Sequence, residues 1–161
     1  MSRYVKIMKN DIVDGEGICV SFWIQGCPFH CFNCQNPETW DFNGGFEIPM
    51  DIRGQLIKDI AENGIIRNFS VLGGEPLCDE NLSVVEDIIK GVRTAYPSIK
   101  IYLWTGYTIE QLQAKNDKRI NNILSNIDIL IDGPYVDEQK DITLKLRGSK
   151  NQRILKRGID F

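Results

Sequence analysis

Apolar residues open this chain in two β-like runs and then fall into an alternation of strand-like and helix-like blocks. Val5-Lys6-Ile7-Met8 and Ile18-Cys19-Val20-Ser21-Phe22-Trp23-Ile24 are rich in β-branched and aromatic residues. With the turn-like Asp14-Gly15-Glu16-Gly17 between them they predict two strands. In the second, Ile18, Val20, Phe22 and Ile24 share one face, with Cys19 on the other. This strand leads into Gly26 and a loop reaching about Pro49, too long to be mere connection. Ile52, Leu56 and Ile60 then line one helical face, stopped by Asn63-Gly64. Phe69-Ser70-Val71-Leu72 reads as a short buried strand ending at Gly73-Gly74. Leu82, Val85, Ile89, Val92 and Tyr96 repeat at helical spacing, with Pro97 just beyond. Ile99 to Trp104 predicts the next strand, and Thr108 with Gln111 matches a capping box that opens a third helix. Ile127 to Ile131 forms a last buried strand before Asp132-Gly133-Pro134.

Strands and helices in alternation imply an α/β fold with a mostly parallel sheet and right-handed crossovers. Eight βα units typically need about 250 residues. The expected architecture is therefore an incomplete, open (β/α) barrel with helices on the outside, one domain over residues 1–161. No internal repeat or low-complexity tract interrupts it.

Composition narrows the function. The chain is 42% hydrophobic and 25% charged, ordinary for a globular protein. No apolar run approaches the ~18 residues of a membrane span, and the start Met1-Ser2-Arg3-Tyr4-Val5-Lys6 lacks a signal-peptide core. A cytoplasmic protein without membrane attachment is expected. A net charge of −3 and a pI near 5.2 argue against nucleic-acid binding. Charge is uneven, however: Lys140, Lys145, Arg147, Lys150, Arg153, Lys156 and Arg157 face a single acid, Asp141, in that stretch. The stretch reads either as a solvated basic hairpin or as a docking face for an acidic partner.

Three of the five cysteines, Cys27, Cys31 and Cys34, lie in Gly26-Cys27-Pro28-Phe29-His30-Cys31-Phe32-Asn33-Cys34. In an odd-numbered set this clustering points to metal or redox chemistry before disulfides. Thiolates hold iron–sulfur clusters, and three protein ligands on a four-iron cubane leave one iron for another molecule. The alternative is structural zinc, with Cys19, Cys78 or His30 as fourth ligand, although no second pair of closely spaced ligands exists.

The three-then-two spacing resembles the motif of the radical S-adenosylmethionine enzymes. Val13-Asp14-Gly15-Glu16-Gly17 before it and Cys34-Gln35-Asn36-Pro37-Glu38-Thr39-Trp40-Asp41 after it are similar to the activases of glycyl-radical enzymes. Trp104-Thr105-Gly106-Tyr107, Asp132-Gly133-Pro134-Tyr135 and the stretch Leu146 to Ile154 resemble, within that group, the activases of the anaerobic ribonucleotide reductase; the formate-lyase activases are longer. The resemblance implies a barrel of the radical S-adenosylmethionine type and a [4Fe-4S] cluster on Cys27, Cys31 and Cys34, with S-adenosylmethionine at the open iron. It implies reductive cleavage to a 5′-deoxyadenosyl radical, a glycyl radical made on the partner reductase, and a low-potential electron donor such as flavodoxin.

The same resemblance assigns Gly73, Gly74 and Glu75, in Gly73-Gly74-Glu75-Pro76, to the cofactor's methionine amino group. By itself a Gly-Gly pair is also an ordinary tight turn. Asn33 stands where the motif usually has an aromatic residue beside the adenine. Thr105 could offer a hydroxyl to ribose or carboxylate, and Asp132 either caps a turn or meets a ligand. An activase of another glycyl-radical enzyme, such as pyruvate formate-lyase, and a non-enzymatic iron–sulfur or zinc redox protein remain the alternatives.

Overall fold

The computed structural model describes residues 1–161. Seven strands, β1 (Arg3–Asp11), β2 (Cys19–Gln25), β3 (Phe46–Glu47), β4 (Asn68–Gly73), β5 (Ile101–Trp104), β6 (Ile129–Asp132) and β7 (Arg153–Lys156), form one sheet in the order β3-β1-β2-β4-β5-β6-β7. Four helices accompany it: α1 (Ile52–Ile60), α2 (Leu82–Ala95), α3 (Ile109–Lys115) and α4 (Lys118–Asn126).

The α/β class is as expected; the mostly parallel sheet is not. Only the centre, β2-β4-β5-β6, is parallel. β1 runs antiparallel to β2 and to β3, and β7 antiparallel to β6. Connection length explains the first of these: residues 12–18 are too few for a parallel crossover, which takes a dozen or more, so β1 and β2 make a hairpin. Periodicity cannot reveal such direction, because both pairings alternate side chains alike.

Alternation along the central strands divides the sheet. Val20, Phe22 and Ile24 of β2, Phe69 and Val71 of β4, Ile101 and Leu103 of β5 and Leu130 of β6 enter one apolar core with helix residues Leu56, Ile60, Val85, Ile89, Val92, Ile120 and Ile123. The other face carries Ser21, Trp23, Ser70, Leu72, Tyr102, Trp104 and Ile131, and loops rather than helices cover it. Thr108 caps α3 with the reciprocal bonds expected, its hydroxyl accepting from Gln111 N–H while the Gln111 side chain accepts from Thr108 N–H. Left-handed Asn116 then ends α3, and Asp117 caps α4, a helix the sequence pattern did not announce. No helix is long and apolar enough to cross a membrane.

Candidate metal centre and cofactor cleft

The cysteine loop is pinned at its neck. Gly26 leaves β2 at φ +101°, and the Phe42 ring occupies the space a Cβ there would need. Gly26 N–H donates to Thr39 O at 2.7 Å and Cys27 N–H to Trp40 O at 3.1 Å. The buried Gln25 amide ties in the far limb through Glu38 O and Asp41 O, at 2.9 and 2.7 Å. Between these ties the backbone turns through left-handed His30 and Asn33, at φ 48° and 55°. Cys27, Cys31 and Cys34 are free, half-buried thiols on this excursion.

All three thiols line one cavity of about 160 Å³, which also takes in Gly73, Gly74, Glu75, Thr105 and Gly106. In the sequence these residues lie 39 to 79 positions beyond the cysteines, and the parallel strands bring them together at their carboxyl ends, where ligands of such sheets collect. Gly74 packs so tightly on the cysteine loop that a Cβ would collide with Gly26 O, and Glu75 N–H donates to the same oxygen at 2.8 Å. A larger cleft of about 530 Å³ shares Cys34, Asn36, Leu72, Trp104, Tyr135 and Gln152 with the thiol cavity, so the two are continuous. Its walls add Trp23 of β2 with Leu144, Leu146 and Arg147 of the C-terminal segment. Trp104 Nε1–H donates to Leu146 O at 2.6 Å and thereby fastens the 133–152 segment across the cleft.

Glu75 is 1% exposed. Its carboxylate accepts from the Thr105 hydroxyl at 2.7 and 2.8 Å, from Gly106 N–H at 2.8 Å and from Leu77 N–H at 3.3 Å. Burial nevertheless pushes its pKa up to about 7, against the opposing pull of those donors. A cationic group brought beside it would hold it ionised. Thr105, expected to reach ribose or carboxylate, instead gives its single proton to Glu75.

Asp132 and Asn33 stand apart from the cavity lining. Asp132 lies on the helix side of β6, accepting from Ile109 N–H at 2.8 Å and from Arg153 at 3.0 and 2.6 Å. Of its two expected roles, the structural one accounts for every contact. The Asn33 side chain donates to Asp137 at 3.1 Å.

The thiols are not drawn onto one point, and no three His, Cys, Asp or Glu side chains form a ready metal site. Their surroundings fit a cluster all the same. Burial pushes Cys27 up to about 11 and raises Cys31, and the lining contains no Lys, Arg or His to favour thiolates. Ligated iron would supply that positive charge. One buried polar atom of the lining, Trp40 Nε1, is left without a partner. Zinc fits less well, since every candidate fourth ligand lies outside the lining. Cys19 is fully buried among Gly15, Ser70 and Tyr102, Cys78 donates to Glu75 O at 3.2 Å, and His30 stacks on Trp40 at 4.7 Å. Burial keeps both outlying thiols protonated, Cys19 at about 11 and Cys78 at about 12.

Residues 13–155 match the 4Fe-4S single cluster domain family. Proteins named anaerobic ribonucleoside-triphosphate reductase-activating protein are similar along nearly the whole chain. Those of Pasteurella multocida and Vibrio cholerae are 35% and 36% identical over 153 residues, 94% of this chain and 96% of each relative. That of Escherichia coli K12 is 33% identical over 151 residues, 93% of this chain and 96% of its own.

Proposed function

The chain belongs to the family of anaerobic ribonucleoside-triphosphate reductase-activating proteins, and from that premise we propose that it is a radical S-adenosylmethionine enzyme that installs a glycyl radical on the anaerobic ribonucleotide reductase. The observation that carries this reading is one cavity lined at once by Cys27, Cys31, Cys34, Gly73, Gly74, Glu75 and Thr105. Cys27, Cys31 and Cys34 would hold the [4Fe-4S] cluster. Bound there and reduced, the cluster would supply the one electron that splits the sulfur–carbon bond of S-adenosylmethionine to methionine and a 5′-deoxyadenosyl radical, and that radical would take a hydrogen atom from a glycine α-carbon of the reductase.

The remaining tasks fall to the protein's own groups. Glu75 accepts the amino group of the cofactor's methionine part, and that cation lowers the carboxyl pKa from about 7 so that the charged form persists. Gly73 and Gly74 let backbone approach the ligand, and Thr105 orients Glu75. Asn33 keeps the adenine role the motif gives it only by exchanging its bond to Asp137. The contiguous cleft, walled by Trp23, Leu72, Trp104 and Leu146, has room for a segment of the partner chain.

The sheet supports an incomplete barrel of the radical S-adenosylmethionine type. Parallel sheets are ordinarily covered on both faces. Here helices cover one face and loops enclose the other, which is the arrangement of a barrel wall. The protein acts in this reading as a single cytoplasmic domain over residues 1–161, supplied by a low-potential donor such as flavodoxin. Incubating it anaerobically with the reductase, S-adenosylmethionine and a reductant should give a glycine-centred electron paramagnetic resonance signal on the reductase. A cofactor turned over without that signal would make the target another glycyl-radical enzyme or a small molecule.

A further inference from the structure

The chain has three tryptophans, and their indole N–H groups are not equivalent. Trp23 donates to Ser21 Oγ at 3.0 Å and Trp104 to Leu146 O at 2.6 Å. Trp40 Nε1 is buried and has no partner. An unmade bond at a buried donor forfeits the hydration the group had in water, so native proteins rarely leave one without a reason.

Trp40 is also firmly placed. Its carbonyl accepts from Cys27 N–H at 3.1 Å, its N–H donates to Pro37 O at 3.2 Å, and the His30 ring stacks on its indole at 4.7 Å and 13°. It lines the thiol cavity. Two side chains of that cavity have their oxygens already engaged: Glu75 by Thr105, Gly106 and Leu77, and Gln152 Oε1 by Gly148 and Ser149. Among the acceptors left in that lining are the three cysteine sulfurs, weak while they are neutral thiols and strong once they are cluster ligands.

We propose that the Trp40 indole N–H is a donor held for a sulfur of the cluster on Cys27, Cys31 and Cys34, which makes Trp40 a positioning residue that sets the cluster's reduction potential. The inference rests on the cluster assigned above. A hydrogen bond to a cluster sulfur favours the more negative, reduced state, and hydrogen bonding is among the levers by which proteins set such potentials.

Trp40→Phe keeps an aromatic ring against His30 and removes only the donor. After anaerobic reconstitution, the variant should hold as much iron and sulfide per chain as the wild type while its midpoint potential falls. In the reduced wild type carrying indole-¹⁵N tryptophan, electron–nuclear double resonance should detect a ¹⁵N coupling to the cluster, absent in Trp40→Phe. Equal potentials in the two proteins, or a labelled wild type without ¹⁵N coupling, would overturn the proposal. If Trp40→Phe fails to assemble a cluster, the labelled wild type decides alone, because the indoles of Trp23 and Trp104 are bonded elsewhere. A wild type that assembles no [4Fe-4S] cluster would instead remove the functional reading, and this inference with it.

Discussion

Glu75 concentrates the site's electrostatics in one buried carboxyl. With the cofactor absent, the folded chain holds this proton up to about pH 7, whereas an ordinary glutamate releases it near 4.5. The folded state therefore binds more protons in that window, and its stability falls as pH rises from 4.5 to 7, by roughly 3 kcal/mol at most. Asp14, half-buried at the larger cleft and raised to about 7 by burial, works in the same direction. Urea unfolding of the cofactor-free chain should accordingly lose stability between pH 5 and 8, and Glu75→Gln should flatten that slope without abolishing it; an unchanged slope would contradict the assignment. Thr105→Val removes the hydroxyl donated to Glu75 at 2.7 Å and should cost about 1–3 kcal/mol in the same measurement, with Thr105→Ser recovering most of it. Glu75 and Thr105 were legible in the sequence because each follows the end of a strand beside glycine. Asp132 also ends a strand but shares parity with Leu130 and faces the helices, so a one-residue offset removed it from the cavity.

At the scale of elements, the basic C-terminal stretch separates into two populations. Arg153 binds Asp132 of β6 at 2.6 Å and Glu110 of α3 at 2.7 Å, tying β7 to both, and Arg157 reaches Asp128 at 3.3 Å. Lys145 and Lys150 are exposed. Arg153→Ala strands the buried Asp132 carboxylate and should destabilise the fold by about 3 kcal/mol in urea unfolding, while Lys145→Ala or Lys150→Ala should stay within about 0.5 kcal/mol. If the stretch docks the reductase, Lys145→Glu with Lys150→Glu weakens complex formation at unchanged stability; unaltered binding leaves only the solvated-hairpin reading. Periodicity made α1, α2 and the central strands legible. It missed α4, where Ile120, Ile123 and Leu124 are embedded in polar residues and the break from α3 depends on Asn116 adopting φ 49°. The edge strands escaped because β3 is two residues long and the direction of β7 is set by a twenty-residue return, not by its own pattern.

Across the whole molecule, the cysteine loop, the glycine motif and the strand ends form one site only because the central strands are parallel and β2 delivers the loop beside β4. Changing Cys27, Cys31 or Cys34 singly to Ala should abolish iron retention, whereas Cys19→Ala and Cys78→Ala, whose thiols lie outside the cavity lining, should retain it. The central claim is that three thiols leave the cluster open to a sulfonium cofactor. It is tested most directly by reconstituting the protein under anaerobic conditions, reducing it with dithionite, adding S-adenosylmethionine and assaying 5′-deoxyadenosine. The account predicts reductant-dependent formation of 5′-deoxyadenosine and methionine, lost in each of the three cysteine variants; a fully reconstituted, reduced protein that leaves the cofactor intact would contradict it.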